Sequence, residues 1–128
     1  MNAKEILKKS ENIVNGERRE SYGHPSENHG CTASFWSAYL SRKLRMSVQL
    51  DVRDVCQMNI LQKISRDANM KGEDNVVDTI GYALNIAIDE DYQADGAPFK
   101  NEIPADILTP LPIAPVGVLL VRGENDAI

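Results

Sequence analysis

The chain has 128 residues, a formal net charge of −5 and 42% hydrophobic residues, which is ordinary for one soluble globular domain. The acidic balance argues against nucleic acid or an anionic membrane as a partner, although a local cluster of cations can still bind a small anion. The two cysteines, Cys31 and Cys56, lack the spacing and the neighbouring histidines of a zinc site, so we expect both to be small buried hydrophobic residues. Neither a signal peptide nor a membrane-spanning run is expected, which predicts a cytoplasmic protein.

The first 25 residues predict one helix followed by a loop. Apolar residues recur at helical spacing over residues 3–14, which predicts an amphipathic helix. Gly16 ends this helix, because glycine readily adopts the left-handed conformation of a helix C-cap. Residues 17–25 are polar and rich in turn formers, and they predict a loop.

Three longer helices are predicted next. The second helix begins at Pro25 with Ser26 as its cap and extends to about residue 45. The third is capped by Asp51 or Ser47 and extends to about residue 69, and the fourth runs from residue 73 to about residue 92. A heavy apolar stripe on the second helix, and the buried sides of the third and fourth, are predicted from the apolar spacing. The stripe on the second helix consists of Phe35, Trp36, Tyr39 and Leu40. The buried side of the third helix consists of Val52, Val55, Cys56, Ile60 and Ile64, and that of the fourth consists of Val77, Ile80, Leu84, Ala87 and Ile88.

The C-terminal region differs from the rest of the chain. Five of the six prolines lie beyond residue 97, and this density excludes a long helix. Residues 116–121 are a candidate short strand. The predicted fold is therefore mainly α, with a four-helix bundle-like core over residues 1–93 and an extended Pro-rich tail over residues 94–128. We expect the tail to pack on a neighbouring subunit or on its own bundle, and the protein to be a homo-oligomer.

The fourth predicted helix carries an acidic stripe. Asp74, Asp78 and Tyr82 are spaced four residues apart, so they share one face. Two carboxylates one turn apart can share a hard cation such as Mg2+, which then holds phosphate oxygens. In the alternative, Asp74 only complements the positive end of the helix dipole.

Two cations lie on one face of the third predicted helix. Lys63 and Arg66 are three residues apart, and the short connection after this helix predicts an antiparallel neighbour. Either cation can then reach the acidic stripe and contact a phosphate, with Arg66 forking across two oxygens. An interhelical ion pair without any ligand is the alternative.

The predicted loop before the second helix is a third candidate. Arg18 supplies a cation, Tyr22 can stack on a base, and His24 can donate a hydrogen bond next to a helix N-terminus that attracts anions. The alternative is a tight turn, in which Gly23 provides the geometry and His24 caps the helix.

The order of these motifs resembles a phage and prophage family of small helical proteins. It is also similar to the all-α nucleoside triphosphate pyrophosphohydrolase (MazG-like) superfamily, over about residues 5–92. The resemblance implies an oligomeric helical bundle with a Mg2+-dependent site for nucleoside triphosphates. By this analogy Asp74 and Asp78 match the metal-binding acidic pair, while Lys63 and Arg66 contact phosphates. For a phage protein, the cytoplasm would be that of the host.

One departure from the enzymes bears on function. Their preceding helix carries a Glu-x-x-Glu pair, whereas this chain has only Asp51 and Asp54 near the start of that helix. Half of the metal cage is missing, which argues against hydrolysis more than against nucleotide binding.

Three functions therefore remain open. The first is a nucleotide-binding protein that cleaves a phosphoanhydride with Mg2+, using Asp78 and Lys63 as catalytic residues and Tyr22 and Tyr82 to hold the base or ribose. The second is a binder without chemistry that sequesters a nucleotide signal of host defence. The third is an interaction or assembly protein without a ligand, whose functional part is the tail.

Overall fold

The computed structural model describes residues 1–96, which form five α-helices joined by short connections. The helices are α1 (Ala3–Asn15), α2 (Glu17–Tyr22), α3 (Pro25–Leu44), α4 (Val52–Asn69) and α5 (Glu73–Ala94). The predicted helical fold is confirmed, and these residues contain no strand. The candidate strand and the rest of the predicted tail beyond residue 96 lie outside the described residues. None of the five helices is both long enough and apolar enough to cross a bilayer.

Helix α5 lies at the centre of the fold and contacts α1, α3 and α4. Three polar contacts show that α4 and α5 are antiparallel, because rising residue numbers on α4 meet falling numbers on α5. The contacts are Arg53–Glu90, Lys63–Asp78 and Asp67–Asn75. The predicted antiparallel packing of these two helices is confirmed.

The predicted loop over residues 17–25 is wrong in its first part, because residues Glu17–Tyr22 form the short helix α2. Charged residues such as Glu17 and Arg18 have good helix propensity, and they favour a turn of helix once the neighbouring helices hold it in place. Gly23 then reverses the chain with a φ of 77°, which glycine adopts without strain. As a result, Arg18 and Tyr22 lie one turn apart on the same helix.

The start of α3 also differs from the prediction. Pro25 is its first residue, so the cap is the preceding residue, His24, rather than Ser26. The Nδ1 atom of His24 accepts a hydrogen bond from the backbone N–H of Ser26 at 3.1 Å. The predicted cap of α4 is correct, since Asp51 and Asp54 form a reciprocal capping box.

The core is built largely from small side chains. The buried apolar residues are Ile6, Val14, Ala33, Val52, Val55, Cys56 and Val77. On α3 the buried face consists of small residues that allow close approach. The predicted apolar stripe is wrong in part, because Phe35 is 71% exposed and Tyr39 is 63% exposed, whereas Trp36 and Leu40 are half-buried. Ser37 on the buried face accepts a hydrogen bond from the N–H of Leu50 at 2.8 Å, which fixes the connection to α4.

The predicted buried sides of α4 and α5 are correct only in part. On α4 the first turns are buried as predicted, but Ile64 is 56% exposed. On α5 Val77 is buried, whereas Leu84 and Ala87 are exposed. Helix α1 has 13 residues against 22 for α5, so it covers only part of that helix.

The two cysteines also differ from each other. Both were expected to be buried, but Cys31 is exposed. Burial raises the pKa of the Cys56 thiol to about 12, so Cys56 is an inert member of the core.

Candidate functional site

Asp78 joins three helices through two ion pairs. Its Oδ2 lies 2.7 Å from Nζ of Lys63 on α4, and its Oδ1 lies 3.2 Å from Nη2 of Arg18 on α2. The side chains of Asp78 and Lys63 are each only 12% exposed, while that of Arg18 is about half exposed. A single carboxylate on α5 therefore holds two cations from neighbouring helices in place.

A cavity of about 400 Å3 opens beside this cluster, between the end of α1 and the helices α2, α3, α4 and α5. This volume falls within the range of about 300–1,000 Å3 that is usual for small-molecule sites. Three cationic side chains and one carboxylate line the cavity: Arg18, Arg19, Lys63 and Asp78. Arg19 makes no ion pair within residues 1–96, so the lining carries an excess of positive charge despite the acidic composition of the chain.

Aromatic rings and side-chain amides line the rest of the cavity. The rings belong to Tyr22, His29 and Tyr82, and the amides belong to Asn28 and Asn85. The rings of His29 and Tyr82 are 5.8 Å apart and tilted by 56°. Cations and flat rings in the wall of one cavity suit a ligand that has both a phosphate and a planar group.

His29 and Asn85 form a direct pair between α3 and α5. The Nδ2 atom of Asn85 lies 3.1 Å from Nε2 of His29. Burial lowers the pKa of His29 below its ordinary value of 6.5, so the imidazole is neutral at pH 7 and Nε2 can accept the amide proton. The Oδ1 atom of Asn85 is buried and has no hydrogen-bond partner among residues 1–96.

The structure brings together most of the residues that the sequence indicated. Five of them line one cavity: Arg18, Tyr22, Lys63, Asp78 and Tyr82. The interhelical ion pair considered as an alternative for Lys63 is present, and it lies in the wall of this cavity.

His24, in contrast, does not line the cavity. Its ring caps α3 and stacks on Tyr92 of α5, with centroids 4.2 Å apart. Burial is the main cause that lowers the pKa of His24, and the nearby Arg19 lowers it further. These contacts match the capping alternative for this residue.

Arg66 and Asp74 also lie outside the cavity wall, and both are exposed. Asp74 is in the first turn of α5. Glu73 is the main cause that raises the pKa of Lys9 on α1, and Asp74 makes a smaller contribution in the same direction. No group of three or more His, Cys, Asp and Glu side chains in the described part of the chain could hold a metal ion. The structure therefore places Asp74 and Asp78 in different surroundings.

Sequence reasoning gave no role to three residues of the cavity: Arg19, His29 and Asn85. Asn85 follows Asp78 by seven residues, so it continues the acidic stripe at helical spacing. His29 had no comparable signal, because its proximity to Asn85 depends on how α3 packs against α5.

Residues 1–96 define a helical domain with a cation-lined pocket between its helices. The chain belongs to the family described as "Domain of unknown function (DUF6378)", whose model matches residues 5–91. It is 36% identical over 112 residues to the Gene 55 protein of Mycobacterium phage L5, covering 81% of this chain and 69% of that protein. It is 31% identical over 126 residues to the Gene 55 protein of Mycobacterium phage D29, covering 95% and 73%. No solved structure matches the chain.

These relatives confirm the resemblance to a family of phage proteins. The resemblance to the pyrophosphohydrolases stays an expectation.

Proposed function

We propose that this protein binds a small phosphorylated ligand of the nucleotide type in the cavity beside Asp78. The observation that carries this proposal is that Arg18 and Lys63 meet at one carboxylate, Asp78, in the wall of a cavity that Arg19 also lines. Arginine and lysine together form charge-assisted hydrogen bonds to phosphate oxygens, which are among the stronger polar interactions in proteins.

The arrangement of the wall suggests how such a ligand would lie. The phosphates would contact Arg18, Arg19 and Lys63, with Asp78 holding two of these cations in position before the ligand arrives. The planar part of the ligand would lie against the rings of Tyr22 or Tyr82. Aromatic rings stack on every base, so these contacts would contribute affinity with little selectivity.

Binding without turnover is favoured over Mg2+-dependent hydrolysis. The metal-binding role predicted for Asp74 and Asp78 requires both carboxylates at one site, and Asp74 is not part of the cavity wall. Both oxygens of Asp78 already face cations. For a phage protein, a binder that sequesters a nucleotide signal of host defence is the function that fits this site best.

The experiment is a titration of the purified protein with nucleoside triphosphates and with inorganic tripolyphosphate, each in Mg2+ and in EDTA. Saturable binding in EDTA, with the intact nucleotide recovered after denaturation, would support the binder. Binding only in Mg2+ together with release of pyrophosphate would support the hydrolase. Binding in neither buffer would favour an interaction or assembly protein.

Self-association is a separate expectation. Phe35 and Tyr39 are one turn apart on α3 and largely exposed, and Leu61 and Ile64 are exposed on α4. Neighbouring apolar side chains that are exposed on one helix face are typical of surfaces that contact another chain, and the spacing of these pairs on α3 and α4 supports a homo-oligomer. Light scattering coupled to size exclusion would give the subunit number, and a monomer at working concentration would contradict this expectation.

A further inference from the structure

The end of the cavity at His29 and Asn85 has a polar arrangement that phosphate binding does not use. The amide of Asn85 has one N–H directed at Nε2 of His29, while its Oδ1 accepts no hydrogen bond from residues 1–96. A buried acceptor that lacks a partner loses its hydrogen bonds to water without replacement, which destabilises the empty site. Rotating the side-chain amide of Asn85 by half a turn about its terminal torsion exchanges Oδ1 and Nδ2, so one of these two atoms would still lack a partner.

The neutral state of His29 fixes what this end can recognise. Burial lowers the pKa of His29, and a neutral imidazole accepts only one hydrogen bond through its unprotonated nitrogen, which here faces Asn85. The pair therefore brings no charge to this end of the cavity, in contrast to the cations around Asp78. An uncharged polar group suits the edge of a nucleobase and does not suit a second phosphate.

We propose that Asn85, oriented by His29, determines ligand specificity by hydrogen bonding to the edge of a nucleobase whose phosphates lie at Arg18 and Lys63. The inference rests on the proposed function and assigns the ligand to nucleotides rather than to sugar phosphates or inorganic polyphosphates. A side-chain amide offers a donor beside an acceptor, which matches a base edge that presents one of each. The terminal torsion of asparagine is soft, so a modest rotation can turn the acceptor toward a ligand in the cavity that Asn85 lines.

The test compares two kinds of ligand, both with a triphosphate group but only one with a base. The full-length protein and the variant Asn85→Leu are titrated with inorganic tripolyphosphate and with each of the four common nucleoside triphosphates, in EDTA. Leucine has the same branched arrangement of side-chain heavy atoms as asparagine, with methyl groups in place of the polar atoms. Asn85→Ala removes the same groups with a smaller side chain, in case leucine does not fit. Asn69→Ala, at the exposed end of α4, is the matched control.

The expected result has three parts. The unaltered protein prefers one nucleotide over the other three, and it binds that nucleotide more tightly than tripolyphosphate. Both Asn85 variants lose this preference by about five- to tenfold, as expected for one hydrogen bond to a neutral partner. The affinity of both Asn85 variants for tripolyphosphate stays within about twofold of that of the unaltered protein, since neither change removes a cation. Asn69→Ala stays within about twofold of the unaltered protein for tripolyphosphate and for the nucleotides.

Two results would overturn the inference and leave the proposed function standing. One is binding of all nucleotides and of tripolyphosphate with equal affinity by the unaltered protein. The other is a nucleotide preference that both Asn85 variants retain. If the unaltered protein binds neither tripolyphosphate nor any nucleotide, the proposed function and this inference fail together.

Discussion

Replacing Asp78 by asparagine should lower stability and at the same time strengthen polyanion binding. The carboxylate holds Lys63 at 2.7 Å and Arg18 at 3.2 Å. Breaking a fully buried ion pair costs about 3–5 kcal/mol, whereas exposed pairs contribute about 0.2–1 kcal/mol. This cluster lies between those limits, and an amide keeps one acceptor. The expected loss in the free energy of unfolding is therefore about 1–3 kcal/mol, or a fall in Tm of about 4–12 °C.

The gain in affinity follows from the charge that is removed, because the asparagine oxygen still accepts a hydrogen bond from one of the two cations and keeps it in position. At a separation of about 5 Å and an effective dielectric constant of about 40 for a half-open cavity, a carboxylate repels one phosphate charge by about 1.7 kcal/mol. Asp78→Asn should therefore bind tripolyphosphate roughly ten- to twentyfold more tightly in EDTA.

Isothermal titration and urea unfolding followed by circular dichroism measure the two effects. Asp91→Asn, on an exposed part of α5, is the control and should change neither quantity. If Asp78→Asn instead weakens nucleotide binding, and does so only in Mg2+, then Asp78 is a metal ligand and the reasoning is refuted.

Three further outcomes are expected. In calorimetry, Arg19→Ala should weaken tripolyphosphate binding by about five- to tenfold, because Arg19 lines the cavity. The affinity of Arg66→Ala should stay within about twofold of that of the unaltered protein, and equal losses in the two variants would contradict the position of the site. In Gly81→Ala the added Cβ would lie 3.7 Å from the Val14 side chain, which is an ordinary contact. Because alanine favours a helix more than glycine does, the free energy of unfolding in urea should rise by up to about 1 kcal/mol. A loss of that size would mean that the contact between α1 and α5 leaves no room for a methyl group. Burial lowers the pKa of both His24 and His29 in the folded protein, so the unfolded chain takes up protons first as the pH falls. The free energy of unfolding should therefore be highest above about pH 6.5 and should fall as the pH drops toward about 5. In urea titrations at several pH values, His24→Asn, which keeps a capping acceptor, should reduce that fall, and an unchanged slope would exclude His24 as a cause.

The sequence predicted the helices and the cation–carboxylate pair well, because those depend on local spacing. Lys63 lies on the cationic face of α4 and Asp78 on the acidic face of α5. The short connection after Asn69 requires these two helices to be antiparallel, so the contact between the two side chains could be predicted. Asp51 as a helix cap is likewise a local property.

Features that depend on packing could not be predicted in the same way. The stripe of Phe35 and Tyr39 on α3 has the spacing of a core face, yet the opposite face of small residues is the buried one. Small side chains allow two helices to approach closely, and no periodicity of large apolar residues reveals this. The pairing of His29 with Asn85 has the same origin, since the two residues are 56 positions apart in the chain.

Calorimetric titration of Lys63→Met with tripolyphosphate and a nucleoside triphosphate, in EDTA at low ionic strength, measures whether Lys63 binds an anion in the cavity. Lys71→Met, an exposed lysine in the connection between α4 and α5, is the matched control. We expect saturable binding by the unaltered protein and by the control, weakened by added salt, and a loss of affinity of at least about tenfold in Lys63→Met. Equal affinities for all three proteins, or no binding by any of them, would contradict this expectation.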